Sequence, residues 1–389
     1  MSKQPDKFLS KPERIMLVGM MLDADYTGAN ESRERTFAAA MAEAEELVRA
    51  TGGELVCRQT AKRDRAHPAL FVGTGKAEEL AQTVRERQIE LAVFNHELTP
   101  TQERNLEKAL QCRVLDRVGL ILAIFAQRAQ SQEGRLQVEL AQLTHLSGRL
   151  VRGYGHLQSQ KGGIGLKGPG ETQLETDRRL IAQKITALKK RLEAVRRQRA
   201  TRRKAREHGS LPTFALVGYT NTGKSSLFNR LTKADVLAKN QLFATLDTTA
   251  RRLYLNPSAS IILTDTVGFV RDLPHGLVAA FSATLEETAL ADVLLHVVDA
   301  AHLEHERQID DVNEVLREIG AGDVPQIVLY NKIDLLPPEE RRFGVLRDVQ
   351  GRAVAANISV KTGEGLDALR EILAEHAVSD GLNGYKPTS

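Results

Sequence analysis

The stretch TFALVGYTNTGKSSLFNRL, residues 213–231, decides the fold of the C-terminal half of this chain. Its first residues are apolar and typical of a buried strand, and its last residues have the pattern of a helix. Between them, Gly218 to Ser225 follow the pattern G-x-x-x-x-G-K-S. A loop of this pattern surrounds phosphate groups with backbone N–H donors at a helix N-terminus. The stretch therefore predicts a strand, a phosphate-binding loop and a helix in that order.

Four residues of this loop have specific predicted roles. Gly218 and Gly223 let the backbone wrap around the phosphates. Lys224 can reach the β- and γ-phosphates, and the Ser225 hydroxyl can bind magnesium. We expect the whole loop to contact a nucleotide: Gly218, Tyr219, Thr220, Asn221, Thr222, Gly223, Lys224 and Ser225.

A second motif, DTVGF (265–269), follows the apolar run SIILT. Asp265 stands at a predicted strand end and can hold magnesium, and the Gly268 N–H can contact a γ-phosphate. Phe269 stands where a nucleotide switch often carries a glutamine that orients the attacking water. A benzyl side chain cannot make those hydrogen bonds, so the water-orienting group must come from elsewhere. The predicted nucleotide-binding residues here are Asp265, Thr266, Val267 and Gly268.

Two further strand-end motifs indicate that the base is guanine. PQIVLYNKIDLL (325–336) ends with N-K-x-D, and the Asp334 carboxylate can accept hydrogen bonds from the N1–H and the amine of guanine. Adenine lacks both donors and would leave the carboxylate unpaired. ISVKTG (358–363) follows another strand and can close the pocket over the guanine O6. The predicted base-binding residues are Asn331, Lys332, Ile333, Asp334, Ser359, Val360 and Lys361.

A second magnesium-binding hydroxyl is expected in the loop before residue 252. The segment QLFATLDTTARR (241–252) offers three candidates, Thr245, Thr248 and Thr249. Spacing alone does not choose among them, and any one of them can equally be a solvated loop threonine.

The chain divides by pattern into four segments. Residues 1–130 alternate strand-like and helix-like stretches, which predicts a small α/β domain with parallel strands. Residues 131–208 predict a helical hairpin. Residues 209–376 predict a second α/β domain with a doubly wound, mostly parallel sheet, and 377–389 a loose tail. The strand-like stretches are 14–22, 54–58, 90–95, 113–116, 213–217, 252–256, 260–264, 293–298, 325–330 and 353–358.

The predicted hairpin has two features of its own. Residues 153–170 contain seven glycines among eighteen residues, which predicts either a flexible connector or a functional loop. Residues 178–206 contain thirteen lysines and arginines and one acidic residue, Glu193, which predicts either a polyanion-binding surface or a solvated helix face. The apolar residues at helical spacing are Leu136, Leu140, Leu143 and Leu150 on one arm, and Ile181, Ile185, Leu188, Leu192 and Val195 on the other.

Composition excludes several classes of protein. No apolar run approaches the roughly 20 residues that span a bilayer, and the polar start has no secretory pattern. Cys57 and Cys112 form neither a disulfide framework nor a metal-binding spacing. We therefore expect a cytoplasmic protein, and a monomer. VGTGK (72–76) matches the phosphate-loop pattern only in part, and we expect a turn there.

Taken together, these motifs resemble the HflX family of translation-factor-type GTPases. The resemblance rests on several blocks along most of the chain: LDRVGLILAIFAQRA (115–129), EGRLQVELAQL (133–143), GPGETQLETDRR (168–179), GYTNTGKSSLFN (218–229) and FATLD (243–247). It implies a family-specific N-terminal domain with a long helical hairpin, followed by a Ras-like, P-loop GTPase domain. SVK at 359–361 stands where related GTPases often have S-A-K, and FATLDTTARR departs slightly from the commoner FATLDPTTRR.

The resemblance also implies specific ligands and partners. Thr245, within FATLD, would be the magnesium-binding threonine, and Lys224, Thr245 and Gly268 would be the catalytic residues. The implied partner is the large ribosomal subunit with its RNA, often with dissociation of ribosomes in stress. Asn221 stands where some related GTPases hold potassium, although it can also be a turn asparagine. The remaining implied nucleotide-binding residues are Phe243, Ala244, Leu246 and Asp247.

We therefore predict a GTP-hydrolysing switch that uses Mg²⁺, turns over slowly alone and is stimulated by ribosomes. Two alternatives stay open. A GTP-dependent RNA-modification enzyme usually needs a catalytic cysteine or a cofactor domain. A ribosome-assembly scaffold would bind GDP and RNA without turnover.

Overall fold

The computed structural model describes residues 13–23, 30–152, 169–204, 211–232, 243, 246, 248–257, 259–271, 282–342 and 344–382. The chain divides into two compact units. Unit 1 comprises Met1–Gln127 and Arg135–Leu192, and unit 2 comprises Arg128–Gly134 and Glu193–Ser389.

Unit 1 contains a four-stranded parallel sheet in the order β2-β1-β3-β4. Apolar side chains from β1 and β3 pack with α2 and α3 into one buried cluster, to which Met16, Phe94 and Leu106 belong. The prediction of a parallel α/β domain is confirmed. The elements are β1 Arg14–Leu22, α1 Asn30–Ala50, β2 Glu54–Arg63, α2 Thr74–Arg87, β3 Leu91–Phe94, α3 Pro100–Leu110, β4 Arg113–Leu115 and α4 Arg117–Arg128.

Local signals explain where some of these elements begin. Thr99 caps α3: its hydroxyl accepts from the Gln102 N–H at 3.3 Å, and the Gln102 side chain accepts from the Thr99 N–H at 2.9 Å. Gly73 has a φ of 90° and directly precedes α2, so the VGTGK stretch begins a helix rather than forming only a turn.

The prediction that ELVCR is a buried strand was wrong in one respect. The strand is present, but β2 extends to Arg63 and most of its side chains are exposed or half-buried. The physical reason is its place at the edge of the sheet, where only β1 pairs with it. Its alternating exposure beyond Arg58 is the pattern of a strand with one solvated face.

The predicted hairpin consists of α5 Gln132–Arg152 and α6 Pro169–Lys204. Leu140 packs against Leu188 and Leu192, with Leu136, Leu143 and Ile185 around them, which confirms the predicted apolar contact between the two arms. Residues 153–168 of the glycine-rich loop lie outside the described part of the chain. The basic side chains of α6 that the structure describes are all exposed: Arg178, Arg179, Lys184, Lys189, Lys190, Arg191 and Arg197.

Unit 2 contains a seven-stranded sheet in the order β10-β11-β9-β8-β5-β7-β6. The pairs β6–β7 and β10–β11 are antiparallel and the others are parallel, as the doubly wound pattern predicts. Strand β10, with three residues, was not predicted. The elements are β5 Thr213–Val217, α7 Lys224–Thr232, β6 Thr249–Asn256, β7 Ala259–Asp265, α8 Ser282–Ala289, β8 Val293–Asp299, α9 His305–Glu318, β9 Gln326–Asn331, a 3₁₀ turn Ile333–Leu335, β10 Val345–Arg347, β11 Ala353–Asn357 and α10 Leu366–Leu382.

Both faces of this sheet are covered. On one face, Phe214, Leu227 and Phe228 belong to a cluster that continues to α10. On the other face, Ala215, Val217 and Leu294 pack with residues of α8 and α9. The near-continuous burial of β5 and β8 follows from this double cover. In the part of the chain that the structure describes, no helix is long and apolar enough to cross a membrane.

Candidate functional site

The phosphate-binding loop connects β5 to α7, and three of its residues have positive φ angles. Gly218 has φ 139°, and a Cβ atom there would lie 2.2 Å from the Val297 carbonyl oxygen. Gly223 has φ 100°, and a Cβ atom there would lie 2.4 Å from the Asn331 Nδ2. Both positions require glycine on steric grounds. Asn221, with φ 60°, is the exposed tip of the loop, as expected for a turn asparagine.

Lys224 begins α7 and turns its ammonium back into the loop. Its Nζ donates to the carbonyl oxygens of Gly218 at 2.9 Å and Tyr219 at 2.5 Å. Burial lowers the pKa of Lys224 to about 8; the Asp265 carboxylate opposes this shift and the Lys332 ammonium adds to it. A buried cation on a glycine-rich loop is a fitting partner for phosphate oxygens, because an anion offsets part of its desolvation.

Asp265 ends β7 next to the phosphate loop, with Leu216 of β5 as its register partner. It is fully buried, and the Thr266 hydroxyl beside it donates to the Leu216 carbonyl at 2.5 Å. Ser225 lies in the first turn of α7 and is half-buried. One carboxylate and one hydroxyl are hard oxygen donors of the kind that Mg²⁺ uses together with substrate phosphates, so these residues fit that ion.

The loop with the candidate threonine is described only in part. Phe243 and Leu246 are buried. Ala244, Thr245 and Asp247 lie outside the described residues.

The Phe269 ring is buried in the apolar core of unit 2. It belongs to the cluster that contains Tyr219 and Leu285. Its backbone nevertheless contacts the loop: the Thr220 N–H donates to the Phe269 carbonyl at 2.7 Å, and the Phe269 N–H donates to the Gly218 carbonyl at 3.1 Å. The DTVGF motif therefore contacts the phosphate loop through the Phe269 backbone, while the Phe269 ring packs in the core.

The two base motifs are connected to each other and to the phosphate loop. The Asn331 Nδ2 donates to the Thr222 carbonyl at 2.7 Å, and its Oδ1 accepts from the Val360 N–H at 3.0 Å. The Ser359 hydroxyl donates to the Asp334 Oδ1 at 2.7 Å and so orients that carboxylate.

Lys332 forms an ion pair that the sequence did not indicate. Its Nζ lies 2.7 Å from the Asp299 Oδ2 at the end of β8. The φ of Lys332 is 64°, so the chain turns sharply directly after β9. Ile333 is buried behind this turn, and Lys361 is exposed beside the base motif.

The structure thus brings the predicted residues of four motifs to the carboxyl ends of β5, β7 and β9 and to the loop after β11. Three contacts were missed from sequence: the Asn331–Thr222 hydrogen bond, the Lys332–Asp299 pair and the Arg271–Glu304 pair. Motif spacing carries no signal for such contacts, because they join residues far apart in the chain.

Comparison with protein families places three models in succession along the chain. A model described as "GTP-binding GTPase N-terminal" matches residues 38–126, and "GTP-binding GTPase Middle Region" matches 128–206. A model described as "50S ribosome-binding GTPase" matches 213–332, which includes the phosphate loop and the strand-end motifs up to Lys332.

Curated relatives match over most of the chain. GTPase HflX of Escherichia coli (strain K12) is 52% identical over 333 residues, which cover 86% of this chain and 78% of that protein. GTPase HflX of Magnetococcus marinus is 52% identical over 83% of this chain and 74% of that protein. GTPase HflX of Akkermansia muciniphila is 43% identical over 93% of this chain and 84% of that protein.

Among solved structures, a crystal structure of SsGBP in complex with GDP matches with a TM-score of 0.52. It is 23% identical and covers 94% of this chain and 99% of that chain, a likeness that concerns the fold. The predicted fold class, a P-loop GTPase domain preceded by α/β and helical segments, is confirmed. Identities of 43–52% over most of the chain show the family: this chain belongs to the HflX GTPases and hydrolyses GTP to GDP and phosphate.

Proposed function

We propose that this GTPase is a switch that binds the large ribosomal subunit in the cytoplasm and dissociates or rescues ribosomes under stress. The main observation that supports a nucleotide-dependent switch is the convergence of four motifs at one edge of the unit 2 sheet. The family model described as a 50S ribosome-binding GTPase supports the choice of partner.

The nucleotide would lie along the loops that follow β5, β7, β9 and β11. The phosphate loop and Lys224 would hold the phosphates, because Lys224 is a buried cation among backbone N–H groups. Asp334, oriented by Ser359, would read the guanine edge. Asn331 would hold the loops after β5, β9 and β11 together, since both ends of its amide are hydrogen-bonded.

Magnesium would be held by Ser225, Asp265 and Thr245, of which the structure describes the first two. When bound, the ion would neutralise part of the negative charge that develops on the phosphates. In our assignment Lys224 adds a fixed positive charge beside the terminal phosphate, and the Gly268 N–H would donate to it. Thr245, from the FATLD block, would supply the second hydroxyl to the ion.

The partner surface is proposed to be the hairpin of α5 and α6. Its described basic side chains between Arg178 and Arg197 are exposed, and Arg197 pairs with Glu193. Such a surface favours phosphate contacts, which weaken steeply with salt. We propose that the 131–208 segment acts as one ribosome-binding module, followed by a GTPase domain at 209–376.

One experiment tests the proposal as a whole. Purified large subunits are sedimented with the protein in a non-hydrolysable GTP analogue and in GDP, at several salt concentrations. We expect co-sedimentation in the analogue, less in GDP, and a steep loss with salt. Equal binding in both nucleotides would contradict the switch.

The hairpin loop is tested separately. A variant that lacks 155–168 should bind GTP normally and bind or split ribosomes less well. If it behaves as wild type on the ribosome, the loop is only a connector.

The two alternatives make different predictions. The RNA-modification alternative usually needs a catalytic cysteine or a cofactor domain. Burial raises the pKa of Cys57 and raises that of Cys112 to about 11, which keeps both thiols protonated. An assembly scaffold without turnover does not fit a family of GTP hydrolases. An absence of GTP turnover both with and without large subunits would favour the scaffold.

A further inference from the structure

Beyond the end of β7, the segment that carries the DTVGF motif is held by contacts of Phe269 and of Arg271. Phe269 pairs through its backbone with Gly218 and Thr220 of the phosphate loop. Two residues later, the Arg271 Nη2 lies 2.9 Å from the Glu304 Oε2. The two side chains of this ion pair are 12% and 19% exposed, so water screens the pair only partly.

Glu304 is itself fixed in place. It directly precedes α9, and its carbonyl accepts from the Gln308 N–H at 3.0 Å. Its N–H donates to the His302 Nδ1 at 3.1 Å. Glu304 lies in the loop between β8 and α9. This loop is also attached to the base motif, because the Ala300 N–H donates to the Asn331 carbonyl at 2.9 Å. Glu304 therefore cannot easily follow Arg271 if the DTVGF segment moves.

Little room separates the segment from the phosphate-binding groups. A Cβ atom added to Gly268 would lie 2.8 Å from the Thr220 Cγ2 and 3.1 Å from the Lys224 Nζ. An oxygen that accepts from both the Gly268 N–H and the Lys224 ammonium would lie in this narrow space, beside the Thr220 side chain.

We propose that the Arg271–Glu304 ion pair is a positioning device that sets the preference of the site for GDP over GTP. The ion pair holds the DTVGF segment against the phosphate loop. The γ-phosphate of GTP has to lengthen the ion pair when it binds. GDP lacks the γ-phosphate and leaves the ion pair intact. The inference rests on the proposed function, in which Gly268 and Lys224 contact the γ-phosphate. Because binding and conformation are linked, loosening the pair favours the nucleotide that requires the displaced segment.

The test is a comparison of two affinities in one variant. Glu304→Gln keeps the shape of the side chain and removes its charge. We expect it to bind a non-hydrolysable GTP analogue about fivefold more tightly than wild type, and GDP within about twofold of wild type. A residue that only stabilised the fold would weaken both nucleotides together. Arg271→Gln should shift the ratio in the same direction, and the charge-swapped double variant Arg271→Glu/Glu304→Arg should restore it in part.

A matched control uses another ion pair of unit 2. Glu375 pairs with Arg347 at 2.8 and 2.9 Å on the exposed surface, and Glu375→Gln is the same chemical change. We expect it to leave both affinities unchanged. Equal changes for both nucleotides in Glu304→Gln and Arg271→Gln, or no change in either, would overturn the inference.

The site assignment has its own control. Lys224→Met should lose affinity for both nucleotides. If Lys224→Met bound both as wild type does, the phosphate site would be wrongly assigned. If it lost affinity while the GTP-to-GDP ratio stayed constant in Glu304→Gln, only the role of the ion pair would be wrong.

Discussion

The side-chain amide of Asn331 donates a 2.7 Å hydrogen bond to the carbonyl of Thr222, and so joins the base motif to the phosphate loop. Its other end accepts from the Val360 N–H at 3.0 Å. Asn331 is 2% exposed, so no solvent can replace these partners. A residue that sequence reasoning assigns to the base edge is thus also the buried connection between three loops.

Asn331→Ala should weaken GDP and the GTP analogue by the same factor. The substitution leaves the Thr222 carbonyl and the Val360 N–H without this partner, and each unsatisfied buried group costs about 1–3 kcal/mol. We expect a loss of about tenfold or more in both affinities and a lower unfolding temperature. Asn331→Asp keeps the acceptor and should be milder. A loss confined to the GTP analogue would contradict a connecting role.

Asp334→Asn should change the base preference rather than abolish binding. The carboxylate can accept from the N1–H and the amine of guanine, whereas an asparagine amide offers one acceptor and one donor. Xanthine carries an oxygen in place of that amine and suits the amide. We expect affinity for GDP to fall at least about tenfold and affinity for xanthosine diphosphate to rise. Parallel losses for both bases would show that Asp334 does not read this edge.

Ser359→Ala is the companion variant for the same pocket. It removes the 2.7 Å hydrogen bond to the Asp334 Oδ1 and the 3.1 Å hydrogen bond that the Ser359 Oγ accepts from the Thr362 N–H. Guanine should still be preferred, with a smaller loss of affinity than in Asp334→Asn. A loss as large as that of Asp334→Asn would mean that Ser359 contacts the base itself.

His296 should make the protein less stable in acid. Burial lowers its pKa to about 4; the Gln326 side chain opposes the shift and the Lys224 ammonium adds to it. In the unfolded chain a histidine titrates near pH 6.5, so between about pH 6.5 and 4 the unfolded state binds more protons. The contribution of His296 to stability is therefore complete above pH 6.5 and is lost as the pH falls, by at most about 3 kcal/mol.

The variant His296→Leu tests this directly. Leucine has no titrating group, so the stability advantage of the variant over wild type should grow as the pH falls from 7 to 4.5. Unfolding temperatures of both proteins across that range give the difference, and the other titrating groups cancel in it. Parallel curves would show that His296 does not titrate differently in the two states.

The central strands of unit 2 could be predicted from sequence because β5 and β8 are apolar runs that are buried on both faces. The run at 293–298 reads as a strand without any alternation, and the structure has Val293–Asp299. Edge strands gave less signal. The structure extends β2 five residues beyond the predicted end, into a half-exposed stretch with few apolar residues, and β10 has only three residues.

For the site, the sequence indicated which residues lie close together, but not the side-chain contacts that hold their loops in place. Motif residues such as Lys224 and Asp265 follow strands whose carboxyl ends meet at one edge, so their convergence follows from strand order. The pairing of Arg271 with Glu304 depends on how the loop before α9 folds, and no spacing rule expresses that. The ring of Phe269 packs in the apolar core of unit 2.

Hydrolysis should be faster in potassium than in sodium if Asn221 helps to hold a monovalent cation near the phosphates. Such an ion would supply positive charge that an arginine supplies in other GTPases. Asn221→Gly is an informative variant because glycine tolerates the φ of 60° and removes only the amide. The potassium advantage should disappear in it. Equal wild-type rates in the two salts would leave Asn221 as a turn residue alone.

The position of Phe269 determines what limits hydrolysis. Its ring is 3% exposed and packs beside Tyr219, while its carbonyl is held by the Thr220 N–H. Neither part can orient a water at the terminal phosphate in this arrangement. Removing the ring would also open a cavity, and a core Phe→Ala change costs about 3–5 kcal/mol. Phe269→Leu is therefore the better variant, and Phe269→Ala its more severe companion.

We expect hydrolysis by the isolated protein to be slow and large subunits to accelerate it at least about tenfold, a barrier change of roughly 1.4 kcal/mol. The acceleration would come from groups that the large subunit positions around the γ-phosphate, since the side chain at position 269 offers no hydrogen bond. Phe269→Leu should keep the acceleration, and Phe269→Ala should keep it at a temperature where the variant is folded. Single-turnover rates with and without large subunits measure both effects. If the isolated wild-type protein hydrolyses GTP fast and subunits add nothing, the water is oriented from within the chain; if both Phe269 variants lose the acceleration, the ring itself takes part in the activated state.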